Sequence, residues 1–273
     1  MTKFKQGLHN HSTFSDGDNT VEEMILGAIS KSFDTFGISE HSYTAFDLEC
    51  CMAKGSLENY LAECAKLKEK YEGQIDVLCG LELDYYSPTT REGLDYASGS
   101  VHYLYKSGEY ITIDDTPEKL IDGAIKHYSG DIYALCEDYF STVAKVVEKT
   151  DCDIIGHFDI IKKFSEKVPD LIDTNNPRYI IARDRAIKKL VETGKIFEVN
   201  TGAMSRGYKS EPYPERSALE MIASLGGKVT ISADSHSVDT IDYGYDEALE
   251  IIHECGFKEV WIYRDGGFKP SPI

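Results

Sequence analysis

Short apolar runs alternate with segments of helical spacing along the chain, no Gly-, Pro- or Ser-rich linker interrupts them, and about seven such pairs fit in 273 residues. Together these features predict one α/β domain, residues 1–273, built on parallel strands that close toward a TIM-like barrel. Strands are expected over 35–39, 76–83, 97–104, 152–157, 196–200, 228–233 and 258–262. Several are unbroken β-branched or apolar stretches, as a strand covered on both faces requires. The first helix opens at Thr20-Val21-Glu22-Glu23, which reads as a capping box with Thr20 as N-cap and Glu23 three residues on. Met24, Ile25, Ala28 and Ile29 follow at helical spacing. A second helix opens near Ser56, with Leu57, Tyr60, Leu61, Cys64 and Leu67 on one face. Others are expected over 118–127, 131–148, 177–192, 214–224 and 246–255.

Composition narrows the classes of function. With 41% hydrophobic and 28% charged residues, the chain has material for a sizeable core and a solvated surface. No stretch approaches the roughly 18–20 apolar residues that a membrane span needs. The first residues carry no apolar run of the kind that marks an export signal, so the expected location is the cytoplasm. The seven cysteines form no C-x-x-C pair, and several sit on apolar faces, as reduced buried thiols do. Acidic residues outnumber basic ones 47 to 29, for a net charge of −18. That balance opposes a long nucleic acid, whose binding relies on Lys and Arg neutralising phosphates. The sequence does not set the oligomeric state.

In barrels of alternating strand and helix, chemistry gathers at the C-terminal strand ends. Those ends carry His9-Asn10-His11 and then Asp16, Glu40-His41, Gly80-Leu81-Glu82, Ser100-Val101-His102, Gly156-His157-Phe158-Asp159 and Ala233-Asp234-Ser235-His236. Six of the eight histidines fall there, a regularity that isolated polar residues do not produce. Residues i and i+2 of an extended segment point to the same side, so His9 and His11 reach one ion, as do Asp234 and His236. Imidazole and carboxylate together suit Zn, Mn or Fe, and the two oxygens of Glu82 suit a bridge. His41, His102 and His157 stand singly, one per strand end. His127 and His253 fall late in predicted helices, where a polar helix end accounts for them.

Taken in order, these motifs resemble the PHP (polymerase and histidinol phosphatase) family of metal-dependent phosphoesterases. The histidinol-phosphatase branch is the nearer likeness, through Ser232-Ala233-Asp234-Ser235-His236 followed by Asp242-Tyr243-Gly244-Tyr245-Asp246-Glu247-Ala248, and through Phe197-Glu198-Val199-Asn200-Thr201. The resemblance implies a distorted seven-stranded βα barrel and three divalent ions. His9, His11, Glu82 and Asp234 would hold one; Glu82, His102 and His157 a second, bridged by Glu82; and Asp16, His41 and His236 the third. It also implies hydrolysis of L-histidinol phosphate to L-histidinol and phosphate in histidine biosynthesis. Competing readings are a nucleotide phosphatase or nuclease on the same scaffold, an amidohydrolase-type barrel, and a metal-binding regulatory module without catalysis.

Metal chemistry then predicts attack of metal-bound hydroxide on phosphorus, with the ions neutralising the phosphoryl oxygens of a small phosphate monoester. Asp16, Asp234 and His236 are the candidates to protonate the leaving alkoxide. Arg206 follows the strand over 196–200, and the fork of its guanidinium matches two phosphate oxygens. Lys163, six residues after His157, is the second substrate-binding candidate. Arg178, Arg183 and Arg185 fall in a predicted helix and are expected to face solvent.

Overall fold

The computed structural model describes residues 4–273 and bears out the alternation of strand and helix. Its strands are β1 (Gln6–Gly7), β2 (Thr35–His41), β3 (Asp76–Asp84), β4 (Tyr96–Ser100), β5 (Tyr103–Lys106), β6 (Glu109–Thr112), β7 (Ile154–Ile155), β8 (Ile196–Asn200), β9 (Lys228–Ser232), β10 (Glu259–Arg264) and β11 (Gly267–Pro272). Its helices are α1 (Val21–Ser30), α2 (Leu57–Lys70), α3 (Pro117–Tyr128), α4 (Ile132–Val143), α5 (Val146–Thr150), α6 (Pro177–Val191), α7 (Gly202–Ser205), α8 (Arg216–Ser224) and α9 (Tyr245–Glu254). At the start of α1 the Thr20 hydroxyl accepts from the Glu23 amide, and the Glu23 carboxylate accepts from the Thr20 amide at 2.8 Å, the expected capping box.

Seven strands form one parallel sheet in the order β1-β2-β3-β4-β7-β8-β9. The sheet curls until Asn10, just past β1, pairs in parallel with Ser235, just past β9. There the His11 amide donates to the Ser235 carbonyl at 2.8 Å, and the Ser235 amide to the His9 carbonyl at 3.3 Å. At the opposite end the Gln6 side chain spans the seam. It donates to Thr230 Oγ1 at 2.9 Å and to the Trp261 carbonyl at 3.2 Å, and it accepts from the Tyr263 amide at 2.8 Å.

The interior at the N-terminal ends of the strands is filled. Tyr96 crosses it and donates its hydroxyl to the Leu8 carbonyl at 2.5 Å. Gly37 and Gly80 make room for that ring, since a Cβ at either would come within 2.3 Å of the Tyr96 side chain. Leu8, Leu78, Tyr96, Ile154 and Tyr263 pack together as a plug, with Phe268 against them. Outside the sheet lie two larger apolar layers. One joins α1 and α2 to β2 and β3; the other joins α4, α6, α8 and α9 to β7, β8 and β9.

Several boundaries differ from expectation. The stretch 97–104 is not one strand: β4 ends at Ser100, Val101 and His102 turn, and β5 then pairs antiparallel with β6. The apolar run at 258–262 is not a barrel strand either. It belongs to β10, which pairs antiparallel with β11 and closes the bottom of the barrel through Tyr263. The seventh barrel strand is instead β1, two residues long and too short to announce itself by periodicity. The helix expected over 131–148 breaks at Ala144 and Lys145, after the Thr142 hydroxyl turns back on the Asp138 carbonyl. Arg183 does not face solvent. It lies 5% exposed on the face of α6 shared with Tyr179 and Ile187, paired with Asp184 and Glu215, whereas Arg178 and Arg185 are exposed.

Candidate metal centre

All nine residues expected as ligands converge at the C-terminal mouth of the barrel. His9 and His11 leave β1 on one side of the chain, as their i, i+2 spacing requires, and Asp234 and His236 leave β9 opposite them. Asp234 has φ 48°, a left-handed conformation that Asp tolerates better than most residues, and it turns the carboxylate inward. Glu82, fully buried near the end of β3, is the hub. Its Oε2 lies 3.3 Å from His9 Nε2 and 3.8 Å from His11 Nε2, while Asp234 Oδ1 lies 3.8 and 3.3 Å from the same two nitrogens. Its Oε1 lies 2.7 Å from His157 Nε2 and 3.3 Å from His102 Nε2. On the outer side, Asp16 Oδ1 sits 3.6 Å from His41 Nε2 and 3.4 Å from His236 Nε2. The rings of His41 and His236 stack on that of His11 at 4.2 and 4.3 Å. His41 also turns its Nδ1 to Glu82 Oε2 at 2.8 Å, a contact outside the expected grouping.

The side chains fit metal ions on their own geometry. His9 Nε2, His11 Nε2 and Asp16 Oδ1 are buried without a hydrogen-bond partner in the chain, and all three point into the cluster. Buried polar atoms are rarely left so, because each forfeits its hydration. Four overlapping sets of ligand atoms each lie within 4.8 Å of one another: His11, Asp16, His41 and His236; His9, His157 and Asp234; His9, His11 and Glu82; His41, Glu82 and His102.

Electrostatics point the same way. Burial would raise the Glu82 carboxyl, but His9, His102 and His41 outweigh it and hold that carboxyl well below the usual carboxylate range. Burial likewise opposes the charge on Asp234, and Arg206 and His9 overcome it. The cluster is thus rich in anionic oxygen and in imidazole nitrogen, the donor set of Zn, Mn or Fe.

The mouth is a cavity of about 340 Å³ whose lining includes Asp16, His41, Glu82, His102, Arg206 and His236. Arg206 donates to the Asp234 carbonyl at 3.0 Å and to Asp234 Oδ2 at 3.2 Å, which places the guanidinium beside the cluster. Gly202 allows this approach, since a Cβ there would meet Arg206 Nη2 at 2.8 Å. Lys163 lines the same cavity, and its Nζ donates to the Asp114 carbonyl at 2.6 Å.

Sequence reasoning missed the carboxylates behind the ligands. Glu198 contacts His9, Asp84 contacts His102, and Glu40 takes the hydroxyls of Ser12 and Ser15 in the loop that carries Asp16. Burial pushes Glu40 up to about 7 in spite of those hydroxyls. The available signal was an acidic residue at a buried position within an apolar strand, which requires a partner.

Residues 7–202 match the profile of the PHP domain. A protein of Schizosaccharomyces pombe named "Probable histidinol-phosphatase" is 30% identical, over 90% of this chain and 84% of its own. The histidinol-phosphatase of Bacillus subtilis is 24% identical over 90% of this chain and 98% of its own. Among solved structures, histidinol phosphate phosphatase from Lactococcus lactis, complexed with zinc, L-histidinol and phosphate, superposes with a TM-score of 0.71. It is 20% identical and covers 97% of this chain and 98% of that one, a likeness of fold.

Proposed function

The chain belongs to the PHP domain family, and we propose that it is the metal-dependent phosphatase that hydrolyses L-histidinol phosphate to L-histidinol and phosphate. One observation carries the reading: nine histidine and carboxylate side chains converge at the mouth of the barrel, three of their buried ligand atoms have no hydrogen-bond partner, and a guanidinium stands beside them. The curated relatives, named for histidinol phosphate hydrolysis along most of their length, support the leaving group. Three ions would be held as the resemblance implies: by His9, His11, Glu82 and Asp234; by Glu82, His102 and His157; and by Asp16, His41 and His236. Such ions supply hydroxide near neutral pH and positive charge for the phosphoryl oxygens.

The chain's own groups do the rest. Arg206 has five donors, and those left over from Asp234 bind the phosphoryl oxygens, with Lys163 across the cavity. The proton for the leaving oxygen comes from the Asp16–His236 side, where both side chains reach solvent, rather than from Asp234, sealed behind His11 and Arg206. Asp234 and His236 lie beyond the family match, on the segment that closes the barrel, so the whole chain acts as one unit. The reaction belongs in the cytoplasm; among the described residues all seven cysteines are unpaired and no helix is long and apolar enough to cross a membrane.

The test compares kcat/KM for L-histidinol phosphate, a mononucleotide and an aryl phosphate at fixed metal loading. Preference for L-histidinol phosphate is expected. A mononucleotide that matches it would overturn the substrate, and turnover indifferent to a chelator would overturn the metal.

A further inference from the structure

Glu198 lies in β8 with no exposure to solvent, and each of its carboxylate oxygens is committed to a different strand end. Oε1 faces His9 Nδ1 at 2.5 Å. Oε2 accepts two hydrogen bonds, from the His157 amide at 2.7 Å and from Asn200 Nδ2 at 3.0 Å. Asn200 is itself oriented, because its Oδ1 accepts from the Gly202 amide at 2.9 Å, and its Nδ2 also reaches Asp234 Oδ2 at 3.3 Å. Glu198 and Asn200 therefore touch residues on both sides of the Glu82 hub: His9 and Asp234 on one, His157 on the other.

On the reading of the metal centre given above, His9 ligates through Nε2, the atom that has no hydrogen-bond partner. A ligating nitrogen carries no proton, so the ring's one proton must stay on Nδ1 and needs an acceptor there. We propose that Glu198 is a positioning residue that fixes the His9 tautomer and binds the ligand sets of two neighbouring ions together from behind the cluster, opposite Glu82.

The geometry makes this sensitive to a single atom. Two donors converge on Oε2, so a glutamine at this position must keep its oxygen there and turn its NH2 toward His9. That NH2 meets the Nδ1 proton head-on. The ring is relieved only by moving the proton to Nε2, which removes the lone pair that would hold the ion.

The experiment uses the full chain stripped of metal. Zinc affinity is measured by competition with a chromophoric chelator, and the melting temperature of the metal-free protein is measured alongside. Glu198→Gln is expected to weaken zinc binding by about 10- to 100-fold, as loss of a carboxylate behind a ligating histidine does, with little change in the metal-free melting temperature. A variant that folds and binds zinc like the wild type overturns the proposal. Should the variant not fold, nitrogen NMR of the zinc-loaded wild type decides: a proton on His9 Nδ1 is expected, and its absence overturns the assignment. Failure of the wild type to bind zinc at all would fall instead on the metal reading.

Discussion

The two ends of the barrel solve opposite problems with the same strands. At the N-terminal end, Leu8, Leu78, Tyr96, Ile154 and Tyr263 fill the interior, and the polar atoms there are paired: Tyr96 with the Leu8 carbonyl, Gln6 with both sides of the seam. At the C-terminal end the interior is imidazole and carboxylate, and three buried ligand atoms lack partners. An unsatisfied buried polar group costs about 1–3 kcal/mol, so the mouth of the metal-free protein detracts from stability that the plug supplies. Leu8 and His9 are adjacent, yet Leu8 packs in the plug and His9 reaches the Glu82 hub, so the boundary between the two regimes falls between neighbouring residues.

If the division is real, substitutions at the two ends should separate activity from stability. The largest effect is expected for Glu82→Ala, which removes the hub: turnover should fall by roughly three orders of magnitude or more, with loss of more than one ion per chain by elemental analysis. Near-normal turnover at full metal content would break the assignment of Glu82. At the plug, Leu78→Ala should lower stability by about 2–5 kcal/mol in denaturant unfolding while leaving kcat/KM of the folded protein unchanged. A large loss of activity there would mean that the two ends are coupled. Arg206→Ala should reduce kcat/KM by the equivalent of about 2–4 kcal/mol with metal content intact. A loss of less than a few-fold would shift the phosphate contact to Lys163. The smallest change belongs to neither end: Thr20→Ala, which breaks the capping box of α1, should cost about 1 kcal/mol of stability, read from the melting temperature, with turnover unaffected.

The mouth was more legible in the sequence than the plug. The i, i+2 pairs His9/His11 and Asp234/His236, and one histidine at each of three further strand ends, mark a metal site because ligand chemistry restricts residue type and spacing together. Apolar packing has no such restriction. The run Val260-Trp261-Ile262-Tyr263 looks like one more barrel strand, and only tertiary contacts reveal a hairpin that stoppers the base. Likewise β1 gives no period to detect in two residues, and the break after Ser100 is set by a hairpin partner that sequence does not display. Glu198 was visible as part of a family-like segment, but its role depends on which oxygen meets which donor, and only coordinates supply that.

The seam between β1 and β9 gives the chain a clasp. Gln6 and Thr230 are 224 residues apart in sequence, and the side chains that face each other across the same seam at the mouth come from those two extremities. Closing so long a loop carries an entropy cost that grows only as the logarithm of its length, so a few well-placed bonds hold it. Contacts of such wide separation slow folding, because their closure entropy is lost before they can repay it. An ion held by His9, His11, Glu82 and Asp234, as proposed above, would act on that closure as a reversible cross-link: the extremities could not part while the ion stayed, nor the ion stay once the extremities parted. Cofactor retention and global unfolding would thereby become two readings of one equilibrium.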